Sequence, residues 1–196
     1  MQMKREDNEW VVTRIDGKIA SVCADFRHLR KITDLVLSQP VSAVSEITVS
    51  KVSMKELSEL SKKTRWEDLY LSGTPFQLNV WKNLYHLTHR SDGTPILPEE
   101  GIKLMSYSQL AEICDNPRGV RAVAHAVAVN MIAYIIPCHL IVPKDSIDKI
   151  LQIRTVAEGT IFKGTDLYLL DSIDVGEYEY GSALKRRVIE LQLYGR

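Results

Sequence analysis

The sequence predicts an α+β chain, and three observations carry that expectation. Near the N-terminus a β-hairpin signal stands in Trp10-Val11-Val12-Thr13-Arg14-Ile15, Asp16-Gly17 and Ile19-Ala20-Ser21-Val22-Cys23. Several amphipathic helical patterns follow it. Two of these are short, lie across a tight break, and precede an apolar run that ends in Pro137-Cys138-His139. The 196 residues allow one large domain or two small ones, and 45% apolar residues suffice for a real core.

Taken in order, the hairpin is followed by a helix expected over His28 to Leu37 and a strand over Ile47 to Ser50. A helix over Ser53 to Lys62 comes next, capped by Ser53 with Glu56 three residues on. These elements make a small α+β domain over residues 1–70, with a boundary near Tyr70 to Gly73 and a second domain over 73–196. Phe76 to Leu87 predicts an amphipathic helix with Phe76, Val80, Trp81 and Leu84 inward, and Thr88 to Lys103 a polar loop.

Ser106 then caps a helix with apolar positions at Leu110, Ala111 and Cys114, which Asp115-Asn116-Pro117 breaks. A second helix, from about Arg118 to Val129, carries Val120, Val123, Ala124 and Val127 on one face and stops at Asn130. That is the layout of a helix-turn-helix, and equally of an ordinary pair of packed helices. Beyond the cysteine, Glu158 to Asp166 is expected to form a hairpin, and a last helix carries Lys185, Arg186 and Arg187.

Net charge is zero, from 25 basic and 25 acidic residues, so the whole chain is not a polycation built for nucleic acid. Local charge says more, because phosphate contacts depend on the residues at the contact. From Asn116 to Val142 there is no Asp or Glu, while Arg118 and Arg121 are present. With Lys185, Arg186 and Arg187 they are expected to give a modest basic surface.

Three scattered cysteines make no disulfide framework and fit a reducing cytoplasm. The absence of CxxC or of clustered Cys and His argues against a metal site, and His86 and His89 are expected to face solvent. No apolar run is long enough to span a bilayer, and Met1 to Asp7 leads into no signal segment, so a soluble, cytoplasmic protein is expected.

The run Ala133-Tyr134-Ile135-Ile136 is expected to be buried and to deliver Cys138 to a fixed place at the floor of a pocket. A thiol attacks as its thiolate, and a neighbouring His and backbone N–H groups can favour that form. Adjacent side chains point apart, so His139 is expected to reach Cys138 through one water. The pair alone does not separate a nucleophile from a packed thiol.

The ordered set does more. Gly73-Thr74-Pro75-Phe76-Gln77, Val80-Trp81, Ser106-Tyr107-Ser108-Gln109-Leu110-Ala111, Asn116-Pro117, Arg121-Ala122-Val123, Asn130 and Ile136-Pro137-Cys138-His139 follow one pattern, without a gap from Ser106 to His139. It resembles that of the O6-alkylguanine-DNA alkyltransferases. Gly176-Glu177-Tyr178-Glu179-Tyr180-Gly181 and Lys185 are similar to that family's turn before its last helix.

The resemblance implies a ribonuclease-H-like N-terminal scaffold and a mainly helical, winged-helix-like C-terminal domain carrying the helix-turn-helix. It implies irreversible, single-turnover transfer of an alkyl group from O6-alkylguanine in double-stranded DNA to Cys138, by a monomer without a cofactor. His139, Tyr107 and Asn130 would assist. Arg121 would fill the gap left by the flipped base, with Arg118, Tyr107, Ala122 and His125 also at the DNA; Tyr107, Ile141, Tyr178 and Glu179 would line the pocket.

Departures are Leu140 where the family has Arg, Gln192 where it has Glu, His125 where small residues are usual, and an insert at about 143–175. Leu140, Gln192 and the insert favour a second reading, a non-catalytic or weakly active binder of alkylated DNA.

Overall fold

In the computed structural model, the described residues are 9–24, 34, 44–159 and 170–194, with the side chains of 154–159 left aside. They form an α+β fold. Strand β1 (Trp10–Ile15) turns into β2 (Lys18–Cys23) through Asp16 and Gly17, both at positive φ (49° and 80°), as a two-residue hairpin requires. Strand β3 (Ile47–Val52) pairs with the other side of β1, so the antiparallel order is β2-β1-β3. The expected helix over His28 to Leu37 lies outside the described residues, Asp34 excepted.

Helices follow. They are α1 (Met54–Lys63), α2 (Pro75–Tyr85), α3 (Tyr107–Ile113), α4 (Val120–Ala128), α5 (Lys144–Gly159) and α6 (Ser182–Tyr194). The first three each start on a capping box: Ser53 with Glu56, Thr74 with Gln77, Ser106 with Gln109. Helices α2, α3 and α4 pack on one another, and one apolar core runs from Trp10 and Val22 through Trp81, Leu110 and Ile136 to Val188.

Helix α4 begins two residues later than its apolar pattern suggests, because Asn116 folds over the turn. A Cβ at Gly119 would lie 2.0 Å from Asn116 Nδ2, so only glycine fits there. The buried run before Cys138 is a series of turns. Three further expectations are corrected. At Glu158 and Gly159, α5 is still running, so no hairpin begins there; the rest of that stretch lies outside the described residues.

His89 does not face solvent. It is buried, its ring stacks on Tyr85 at 4.0 Å, and Nε2 lies 3.0 Å from the Ser61 carbonyl oxygen. Nor does Lys185 belong to a basic surface: it is 1% exposed, and Arg186 spends its guanidinium on the Ile173 carbonyl, which leaves Arg187 as the exposed member. The cause is register, since α6 turns Lys185, Val188, Ile189 and Gln192 together to the core. Among the described residues no helix is long and apolar enough to cross a membrane, and no group of three His, Cys, Asp or Glu could hold a metal.

Candidate active site

The N-terminal sheet supports the cysteine directly. Val22 of β2 donates to the Met131 carbonyl at 2.9 Å and accepts from Ala133 N–H at 3.1 Å, which anchors the segment just before the site. Asn130 ties the same segment to itself. Its Oδ1 accepts from Ile132 N–H at 3.0 Å, and its Nδ2 donates to the Ile136 carbonyl at 2.9 Å.

Two tight turns then aim the thiol. Ile135 N–H donates back to the Ala133 carbonyl across Tyr134, whose φ is 71°, and Cys138 N–H donates to the Ile136 carbonyl across Pro137 at φ −81°, ψ 65°. Both are γ-turns; the second is the relaxed inverse kind, the first the rare positive-φ kind. A single 3-10 turn follows, Cys138–Leu140. Met105 brackets its end, donating to the Leu140 carbonyl at 3.1 Å and accepting from Val142 N–H at 3.0 Å. That pairing brings the start of α3, and so Tyr107, to the cysteine.

Cys138 is partly exposed, and burial pushes its thiol up, against the opposing pull of Asn130 and the Lys185 ammonium. Around it stand Tyr107 and Tyr178, whose phenols burial also pushes up, with the cysteine's charge the next cause. The Tyr178 hydroxyl is buried and makes no hydrogen bond among the described residues.

His139 is fully buried. Its Nε2 meets Gln192 Oε1 on α6, Tyr134 stacks on its face with centroids 5.6 Å apart, and Tyr178 presents an edge at 6.5 Å. Nδ1 has no hydrogen-bond partner among the described residues, and burial brings the imidazole down to about 3. With Nε2–H donated to the amide, Nδ1 carries the free lone pair.

Lys185 Nζ donates to the carbonyls of Ile141 (2.8 Å) and Glu177 (3.2 Å) and forms no salt bridge among the described residues. Burial lowers it to about 8 while the charges of Cys138 and Asp174 pull the other way. Tyr107, Asn130, Cys138, His139, Ile141 and Tyr178 therefore gather at one place. Glu179 is exposed beside Tyr178, and Leu140 is wholly buried in the core.

Arg118, Arg121, Ala122 and His125 stand apart from this group, all exposed along α4 and the turn before it. Val123, Ala126 and Val127 hold the opposite face in the core. The chemistry available is thus a single thiol, positioned by turns, facing two tyrosines and backed by an imidazole and a buried ammonium. Sequence reasoning missed the roles of Lys185 and Tyr134. Lys185 had a signal in the i, i+7 spacing to Gln192; the turn at Tyr134 had none, because a β-type apolar run gives no hint of positive φ.

Fold and site together define a thiol protein whose one partly exposed cysteine is presented alongside two short packed helices, α3 and α4. Residues 101–151 match the family model described as the 6-O-methylguanine DNA methyltransferase, DNA binding domain. The chain is similar to a probable methylated-DNA–protein-cysteine methyltransferase of Acanthamoeba polyphaga mimivirus, 40% identical over 79 residues, which are 40% of this chain and 45% of that protein. It is also similar to the methylated-DNA–protein-cysteine methyltransferase of Kluyveromyces lactis, 41% identical over 73 residues, 37% of this chain and 32% of that one.

The match spans less than half the length of these two relatives. The crystal structure of O6-methylguanine-DNA methyltransferase from Pyrococcus kodakaraensis covers 98% of this chain and 96% of its own, with a TM-score of 0.54 at 18% identity, a likeness of fold. Over residues 101–151 the chain is thus similar to the DNA-binding domain of the 6-O-methylguanine DNA methyltransferases.

Proposed function

We propose that the protein repairs O6-alkylguanine in double-stranded DNA by irreversible transfer of the alkyl group to Cys138. The observation that carries this is the presentation of Cys138, partly exposed between Tyr107 and Tyr178 with His139 and Lys185 behind it. Residues 1–70 serve as a ribonuclease-H-like scaffold, and residues 73–196, with an insert at about 143–175, as the winged-helix-like DNA-binding and acceptor domain. The protein acts as a cytoplasmic monomer.

The lesion is hidden in the duplex, so the nucleotide must be extruded, at a cost of roughly a few kcal/mol. Arg121 fills the gap, as a side chain inserted from a helix in the minor groove can. Arg118, Ala122 and His125 lie along the same contact, and Tyr107 crowds the flipped nucleotide's phosphate and donates to the base. Tyr107, Ile141, Tyr178 and Glu179 receive the base.

The Cys138 thiol loses its proton toward His139 Nδ1 through one water, and Asn130 with Lys185 steadies the thiolate. Sulfur attacks the alkyl carbon in line; the S–C bond forms as the C–O6 bond breaks, its electron pair leaves with guanine, and guanine takes up a proton. The product is a thioether on Cys138. No group regenerates the thiol, so each molecule acts once, and no cofactor takes part.

A weakly active binder of alkylated DNA is the second reading, favoured by the neutral Gln192 against His139 and by the upward push of burial on the thiol. Intact-mass analysis after incubation with an O6-methylguanine oligonucleotide tests both. One added methyl, mapped to Cys138 and abolished by Cys138→Ser with DNA binding kept, is the expected result. A methyl on Cys23 or Cys114, or none at all, overturns the enzyme reading.

A further inference from the structure

The geometry points to Tyr134 as the residue that positions His139, transmitting the hold of the N-terminal half of the chain onto the imidazole. This rests on the alkyl-transfer reading above, in which His139 takes the thiol's proton. The first observation is conformational. Tyr134 is a bulky residue at φ 71°, the centre of a γ-turn closed by the 2.9 Å hydrogen bond from Ile135 N–H to the Ala133 carbonyl. Such a conformation persists only where the surroundings over-determine it, and a strained position of this kind calls for a reason.

The second is what the conformation achieves. The ring lies nearly parallel to His139, at an interplanar angle of 22° and a centroid distance of 5.6 Å, and it is 2% exposed. His139 has no backbone freedom to spare, but its ring could still turn about the bond to the main chain. Gln192 holds one edge of that ring, and Tyr134 blocks one face.

The third is what stands behind Tyr134. Trp10 of β1 meets its ring edge-on with centroids 6.4 Å apart. Trp10 in turn meets Tyr180 at 6.0 Å, and Tyr180 meets Tyr178 at 5.4 Å, so the aromatic chain closes around His139 from both sides. A flat side chain backed along its edge by a second ring is a rigid plate. A leucine at the same place would fill volume without fixing the plane of the imidazole.

The test reads His139 itself and then its effect. Imidazole nitrogen chemical shifts should report one tautomer for His139 in the wild type, with Nε2 protonated. Tyr134→Leu should give a mixture, whereas Tyr134→Phe, which keeps the plate, should restore the single tautomer. Alkyl transfer from free O6-benzylguanine should fall roughly tenfold or more in Tyr134→Leu, the scale on which misplacing a reacting group acts.

In a His139→Gln background the same substitution should cost nothing further, because residues acting through one another are not additive. A single unchanged tautomer in Tyr134→Leu, or an equal loss in both backgrounds, overturns the proposal and leaves Tyr134 a packing residue. Should Tyr134→Leu not fold, Tyr134→Met, which also lacks a flat ring, must give the mixture instead, and a single tautomer there overturns the proposal equally. Absence of transfer in the wild type would strike the alkyl-transfer reading alone, since the tautomer measurement stands without it.

Discussion

His139 and Gln192, fifty-three residues apart in sequence, meet in the core through Nε2 and Oε1. The neighbouring acid does not compete for that place: Glu190 turns away and accepts from Leu170 N–H at 3.2 Å. A neutral amide can orient the imidazole, but it cannot offset the positive charge that the ring gains when it takes a proton.

Gln192→Glu should therefore lower the apparent pKa of Cys138 and speed alkyl transfer at neutral pH, because a charge-assisted hydrogen bond is roughly twice as strong as a neutral one. Glu190→Gln should leave the rate unchanged to within about twofold, on the scale of a residue outside the reacting groups. Transfer rates against pH for the three proteins check this. No gain from the first and a large loss from the second would reverse the assignment.

Arg121 stands exposed on α4, one turn before His125 and on the side away from the core. Arg121→Ala should slow repair of duplex DNA far more than reaction with free O6-benzylguanine, which needs no extrusion. Parallel kinetics on the two substrates distinguish a wedge from a packing residue, for which the losses would be equal.

Lys185 brings a buried positive charge to bear on the cysteine, and at about 8 it is still charged at neutral pH. Burial holds the Cys138 thiol above its ordinary range, and the ammonium partly offsets that. Lys185→Met should move the rise of rate with pH to higher pH, and Lys185→Arg should move it less. Thiolate absorbance followed through a pH titration gives the same shift without DNA.

The acid limb of stability should belong to His139. Burial depresses its folded-state pKa to about 3 from the ordinary 6.5 of an imidazole, so the folded protein binds fewer protons than the unfolded chain between those values. The stability it contributes is complete above pH 6.5, is lost progressively as pH falls toward 3, and changes no further below that. Urea unfolding across this window should show a pH slope that His139→Gln flattens.

Much of this was legible in the sequence because it is local. The Asp16-Gly17 hairpin, the capping box at Ser53, the N-cap at Ser106 and the buried run before Cys138 follow from short-range pattern, and Gln192 is set against His139 by the family resemblance. What was not legible depends on distant contacts. Burial of Lys185 follows from how α6 lies on the Cys138 turn, burial of His89 from its stack on Tyr85, and the persistence of α5 through Gly159 from context that outweighs one glycine. Tyr134 shows the same limit in the backbone, since nothing in an apolar run announces a left-handed residue.

Trp81 bears on how α4 behaves under load. Its indole N–H donates at 2.8 Å to the Ala126 carbonyl in the last turn of α4, while the far edge of its ring leaves no room for a Cβ at Gly73, which would lie 2.8 Å away. One side chain thus pins the end of α4 to α2 and, through Gly73, to the chain entering that helix. A push on the exposed face of α4 cannot make the helix rock on its own; the strut passes the force to the whole helical layer, and the helix tilts only if that layer tilts with it.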